Sequence, residues 1–267
     1  MEHRVALVTG GSSGLGKSLC EALSRKRYTT YGTSRSPQEQ PEGYKLIQLD
    51  VTDGQSIRAC VEQVIAREGR LDVLINNAGK GITGPMEEIP VEELRAVFDT
   101  NYFGPVQMLN AALPHLRASP NAHVINVTSV ASFMGLPFRG AYSSSKAALH
   151  LATEAYRMEL KPHGVRLSNV APGDFASNIA AGRYHAPASG QSPYHPQYQE
   201  SLDLMNAHVD EGVSSDGLAE QIIAILEERD PKPTYVLGKA LQRASGVIKS
   251  ILPGKRYEKM LMKHFKL

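Results

Sequence analysis

Val5-Ala6-Leu7-Val8-Thr9-Gly10-Gly11-Ser12-Ser13-Gly14-Leu15-Gly16 is the stretch that decides the fold class. Residues 5–9 form a short continuous apolar run with β-branched side chains, which suits a strand buried inside a parallel sheet. Four glycines follow within seven residues, and an amphipathic run then reaches about Lys26. Strand, glycine turn and helix in that order is the setting in which N–H groups at a helix N-terminus receive phosphate. The spacing is GxxxGxG, which differs from the GxGxxG of the common dinucleotide fingerprint. The stretch alone suits either a pyrophosphate cradle or a glycine-rich turn that holds nothing.

Working outward, the same alternation continues. Tyr28 to Ser34, Tyr44 to Leu49, Leu71 to Ile75, His123 to Val127, Val165 to Val170 and Thr234 to Leu237 read as strands, with helical patterns between most of them. Such alternation predicts one α/β domain on a doubly wound parallel sheet. A chain of 267 residues can bury its own core without staples. Its 29 basic and 27 acidic residues leave a net charge of +2, which gives no bulk reason to expect a nucleic-acid partner. Cys20 and Cys60 lie in apolar helical stretches and are too few for a disulfide framework or a zinc site. His185, His195 and His208 lack ligand spacing, so no metal is expected. No apolar run approaches a membrane span, and the start of the chain has no signal-peptide pattern. The expectation is a soluble cytoplasmic protein.

The carboxyl ends of the strands carry the chemistry, because open α/β sheets bind ligands there. An NAD site commonly has an acid at the end of its second strand. Here Thr33, Ser34 and Arg35 stand there, and Arg35 can clamp a 2′-phosphate, with Lys17 as a second positive charge. NADP(H) is therefore favoured over NAD(H). Asp50-Val51 ends the third strand, where Asp50 can accept from an adenine amino group or merely satisfy local donors. Asn76-Asn77-Ala78-Gly79 ends the fourth, and Thr128-Ser129 the fifth. Asn101 falls inside a helical pattern that disfavours it. Tyr142 and Lys146 are four apart at the start of a helix, hence on one face and one turn apart. A neighbouring cation lowers a phenol's pKa and makes it a usable proton donor near neutral pH. Ala171-Pro172-Gly173 ends the sixth strand, with Ser177 soon after. Residues 182–212 lose all periodicity and read as a lid over the substrate. Residues 238–267 hold eight Lys or Arg and one acid, with one apolar face before Pro253-Gly254 and another beyond it. This basic amphipathic tail can lie on an anionic membrane surface, or pack on its own domain or on a twin subunit.

TGGSSGLG at 9–16, NNAG at 76–79, Asn101, Ser129, YSSSK at 142–146 and PG at 172–173 resemble, in order and spacing, the short-chain dehydrogenase/reductase family. The resemblance covers residue 4 to about 237. It implies a Rossmann domain over 1–237 with about seven strands ordered 3-2-1-4-5-6-7. It also implies a catalytic tetrad of Asn101, Ser129, Tyr142 and Lys146. The cofactor set it implies is Thr9, Gly10, Ser12, Ser13, Gly14, Leu15, Gly16, Ser34, Arg35, Asp50, Val51, Asn77, Ala78 and Gly79. Tyr142, Lys146, Pro172, Gly173 and Ser177 complete that set. The expected activity is NADP(H)-dependent interconversion of a ketone or aldehyde and its alcohol, on an apolar steroid-, retinoid- or lipid-like substrate. The alternative is a non-catalytic NADP(H)-binding sensor or scaffold. The family also implies a homodimer or homotetramer built on the helices containing Asn101 and Tyr142.

Overall fold

In a computed structural model of the chain, the alternation resolves into a seven-stranded parallel sheet with helices on both faces. The structure describes residues 4–38, 40–173, 182–210 and 214–267, with 206–210 described in backbone alone. The first half contains β1 (Val5–Val8), α1 (Gly14–Arg25), β2 (Thr29–Ser34), β3 (Lys45–Gln48), α2 (Gly54–Glu68) and β4 (Val73–Asn76). A short β5 (Ile82–Thr83), α3 (Val91–Phe98) and α4 (Gly104–Leu116) follow, then β6 (His123–Val127), α5 (Gly140–Leu160) and β7 (Arg166–Pro172). The chain ends through β8 (Tyr184–His185), α6 (Gln197–Asp210), α7 (Ser215–Glu227), β9 (Thr234–Leu237), α8 (Ala240–Ile251) and α9 (Gly254–His264).

The sheet order is β3-β2-β1-β4-β6-β7-β9, which is the expected 3-2-1-4-5-6-7 once β5 and β8 are set aside. Val8 pairs with Gly32 on one side and Ile75 on the other, so the order reverses beside β1. A crevice opens at the carboxyl ends of strands where such a reversal occurs. The reversal brings the glycine loop after β1 against the turn after β4.

Alternating side chains divide the core between the two faces. Val5 and Leu7 join α2 and α4 in one apolar cluster, while Ala6 and Val8 join α1 and α7 in another. Asp53 caps α2 by accepting from Gln55 N at 3.0 Å and Ser56 N at 3.2 Å, and Gly69 (φ 71°) ends it.

The short β5 pairs in parallel with β8. Two local expectations change. The 182–212 segment is not featureless, because α6 forms within it and buries Tyr198, Leu202 and Met205 against Ile82, Ala131 and Tyr142. Those three residues are spaced i, i+4, i+7, a helical face obscured by polar and aromatic neighbours. Asn101 sits in a π-helical turn, Asp99–Phe103, between α3 and α4, and not inside a regular helix. Such turns widen the backbone ring locally and tolerate a residue that a regular helix disfavours.

Candidate active site

The glycine loop is held from behind. Thr9 Oγ1 accepts from Asn77 N and Ala78 N, both at 2.9 Å, while Asn77 Nδ2 donates to Thr9 O at 2.9 Å. Gly10 N donates to Thr33 Oγ1 at 3.1 Å, and Tyr44 Oη donates to Gly11 O at 2.9 Å. Gly10 has φ +69°, a conformation open to glycine and strained for most residues. A Cβ on Gly16 would overlap the Gly10 carbonyl oxygen, so α1 can approach the loop only without one.

Ser13, the N-cap of α1, makes no side-chain cap bond, and the first turn carries no acid. The first N–H groups of α1 therefore have no partner within the helix and are suited to an anion. Gly10, Ser12, Ser13, Gly14, Leu15 and Gly16 line one end of a cleft of about 680 Å³. Ser34, Arg35, Asp50, Val51, Asn77, Ala78 and Gly79 continue that lining. Thr9 is buried and lines no part of it. Arg35 is exposed at the end of β2, close enough that its charge helps to lower the Asp50 pKa, after the hydrogen bonds from Thr52. Asp50 Oδ1 accepts from Thr52 N at 2.9 Å and Thr52 Oγ1 at 2.7 Å, so that oxygen serves the local turn. Lys17 pairs with Glu21 at 3.8 Å and does not line the cleft.

The other end of the cleft belongs to β6, α5 and β7. Ser129, Tyr142, Lys146, Pro172 and Gly173 line it together. Arg139, the N-cap of α5, lies 5.3 Å from the centre of the Tyr142 ring. One turn on, Lys146 is buried and donates from Nζ to Val127 O at 2.8 Å. Burial lowers its pKa to about 8. Ser129 Oγ accepts from Ala131 N at 3.2 Å and caps the short turn that follows β6. Its oxygen is thus fixed while its proton remains available.

Asn101 is fully buried and ties three segments together. Its Oδ1 accepts from Lys80 N at 2.8 Å, and its Nδ2 donates to Lys80 O and Ser145 Oγ, both at 3.0 Å. A Cβ on Gly79 would lie 3.4 Å from Asn101 Oδ1 and 3.6 Å from Lys146 Nζ, so both groups converge on that glycine. Ser177 lies outside the described residues.

A family model described as short chain dehydrogenase matches residues 4–187. The chain belongs to the short-chain dehydrogenase/reductase family. It is an oxidoreductase of that family, with the family's Rossmann sheet. It is 36% identical over 254 residues to a 3-ketodihydrosphingosine reductase of Bacteroides thetaiotaomicron, covering 95% of this chain and 94% of that one. It is 31% identical to an NADPH-dependent 3-dehydrocapnine reductase of Ornithobacterium rhinotracheale, covering 98% of each. A crystal structure of a short-chain dehydrogenase from Streptomyces avermitilis superposes with a TM-score of 0.82 at 31% identity, covering 98% of both chains.

Several cleft residues of this short-chain dehydrogenase were not legible in advance. Lys80, Ile82 and Arg139 all line it. Lys80 is held by Glu93 at 2.7 Å. Arg139 stands three residues before Tyr142, a helix-start position that its sequence spacing could have marked. Nothing local distinguishes Ile82, which reaches the cleft only through tertiary packing.

Proposed function

We propose that this chain interconverts a ketone or aldehyde and its alcohol with NADP(H), on an apolar, lipid-like substrate, with Tyr142 as general acid and base. The observation that carries the reading is the placement of Tyr142 and buried Lys146 on successive turns of α5, in the cleft that also holds the uncapped glycine loop. The nicotinamide, when bound, supplies or accepts the hydride.

The chain's own residues manage the oxygen and its proton. Tyr142 gives its phenolic proton to the carbonyl oxygen as that oxygen gains charge, and takes it back in the other direction. The buried Lys146 ammonium stands one turn along α5 from that phenol, on the same side of the helix. Ser129 donates a hydrogen bond to the substrate oxygen and stabilises its developing charge. Asn101 is a positioning residue that fixes the Lys80 backbone and the Ser145 turn around Lys146.

Arg35 supports the 2′-phosphate assignment, because Thr33-Ser34-Arg35 puts a guanidinium where a carboxylate would select NAD(H). The names of the two bacterial relatives support a ketone borne on a hydrocarbon chain. The apolar lining by Ile82, Val130, Ala131 and Leu136 is consistent with that class. We also place the contact for a second copy on α5, where Leu151 and Met158, seven apart and so on one face, are exposed.

Initial rates with NADPH and NADH test this against 3-ketodihydrosphingosine and a series of short ketones. The expected result is the highest kcat/KM with the long-chain ketone and NADPH. Arg35→Glu is expected to lower the NADPH value at least about tenfold, through loss of a charge-assisted bond, with little change for NADH. Preference for short polar ketones would sink the substrate class, and equal loss with both cofactors would remove Arg35 from the phosphate site.

A further inference from the structure

The two tail helices pack in opposite senses. On α8, Leu241, Val247 and Ile251 fall within an arc of about 120° at the helical repeat, and they are 68%, 59% and 74% exposed. The opposite face of α8 meets the body through small and polar groups. A Cβ on Gly246 would rest 3.4 Å from the Phe133 ring, and Lys249 Nζ donates to Phe133 O at 2.6 Å. Amphipathic helices of globular domains ordinarily turn their apolar stripe inward. Here Leu241, Val247 and Ile251 point away from the domain, while Ile248 in the same arc is half-buried.

The neighbouring helix is seated in the ordinary way. Tyr257 and Phe265 of the α9 segment are buried, and Tyr257 Oη donates to Met134 Sδ at 2.8 Å. Its outer face is basic. Lys255, Arg256, Lys259, Lys263 and Lys266 are all exposed, and none is paired with a carboxylate among the described residues. An outward apolar stripe therefore stands on the helix next to an outward basic face. With eight Lys or Arg against one acid, the tail carries +7 of a chain whose net charge is +2, and the rest stands at −5.

We propose that the tail docks on the surface of an anionic lipid bilayer. The α8 stripe enters the headgroup layer while the basic face of α9 meets lipid phosphates. Charge complementarity selects this occupant over a second tail, which would bring the same +7 against it. Both helices are too short to cross a membrane, and no described helix is long and apolar enough to do so, so the tail lies on the surface. The inner side of the tail adjoins the catalytic end of the molecule. An apolar recess of about 570 Å³ lies between α9 and the 135–137 turn, and Leu136 walls both this recess and the catalytic cleft. Use of that recess as a substrate route rests on the lipid-like substrate proposed above; docking itself does not.

The test is flotation of the full chain with vesicles of phosphatidylcholine alone and of phosphatidylcholine mixed with phosphatidylglycerol. NADPH binding, followed by fluorescence, reports that each variant is folded. The wild-type chain is expected to float with the mixed vesicles and not with phosphatidylcholine alone, and added salt is expected to release it. Lys259→Glu and Lys263→Glu are each expected to lower partitioning about fivefold or more, and Ile251→Asp to lower it as well. Absence of flotation, equal binding to both vesicles, or unchanged partitioning of the folded variants would overturn the proposal. A wild-type dimer that fails to float and that Ile251→Asp converts to a monomer would assign the stripe to a second copy instead. Retained flotation alongside inactivity toward every ketone would leave the docking standing and fault the enzymatic reading.

Discussion

Lys146 is an ammonium enclosed by protein, with Val127 O at 2.8 Å as its recorded acceptor. Burial lowers its pKa from 10.5 to about 8. The unfolded chain keeps that proton up to about 10.5, while the native chain releases it near 8, so between those values the unfolded state binds more protons. Stability contributed by this residue should therefore rise with pH across that window, by up to about 3 kcal/mol for a shift of this size. Chemical denaturation of cofactor-free wild type and Lys146→Met from pH 7 to 10.5 checks the expectation. Their difference should move in favour of the wild type as pH rises, and a flat difference would mean that the ammonium is solvated. The side-by-side placement of Tyr142 and Lys146 was legible because four residues along a helix is a fixed geometry. The partners of Thr9 and Asn77 were not. Their hydrogen bonds cross between β1 and β4, and only the sheet order puts those strands side by side.

At the scale of elements, the loop from Gly10 to Gly16 is shaped by what its glycines lack. A Cβ on Gly16 would collide with the Gly10 carbonyl and crowd Asn77 Nδ2, both part of the clamp that holds the loop. Gly16→Ala should displace the first turn of α1, cost about 1–3 kcal/mol in overpacking, and weaken NADPH binding far more than it disturbs the sheet. Thermal melting and NADPH titration of the variant measure the two effects, and unaltered NADPH affinity would show that this turn does not hold the phosphates. The seven main strands were legible because buried parallel strands are short apolar runs bounded by polar turns. The helix α6 was harder to see. Its buried Tyr198 combines a ring packed near Phe138 with a hydroxyl that donates to Thr83 O at 3.1 Å, so a half-polar residue does core work. Binary patterning does not register such a residue.

For the whole molecule, charge and apolar surface are unevenly distributed. The tail's amphipathic periods were readable, but periodicity defines two faces of a helix without saying which one meets the domain. The structure exposes Leu241, Val247 and Ile251 of α8 and leaves Ile248 half-buried, whereas the α9 segment buries Tyr257 and Phe265 and exposes Met260. Exposed Leu151 and Met158 raise the question of assembly in the same way. If α5 carries the contact between copies, Met158→Glu should shift an oligomer toward monomer in sedimentation equilibrium without loss of fold, and an unchanged mass would place the contact elsewhere. The account as a whole depends on Tyr142 as proton donor, and one paired measurement addresses it: single-turnover oxidation of bound NADPH by a ketone, with NADPH affinity determined on the same preparation, for wild type and Tyr142→Phe. Turnover should fall by about 10²–10⁴-fold while affinity stays within a few-fold. Undiminished turnover, or affinity lost along with it, would contradict the role assigned to that phenol.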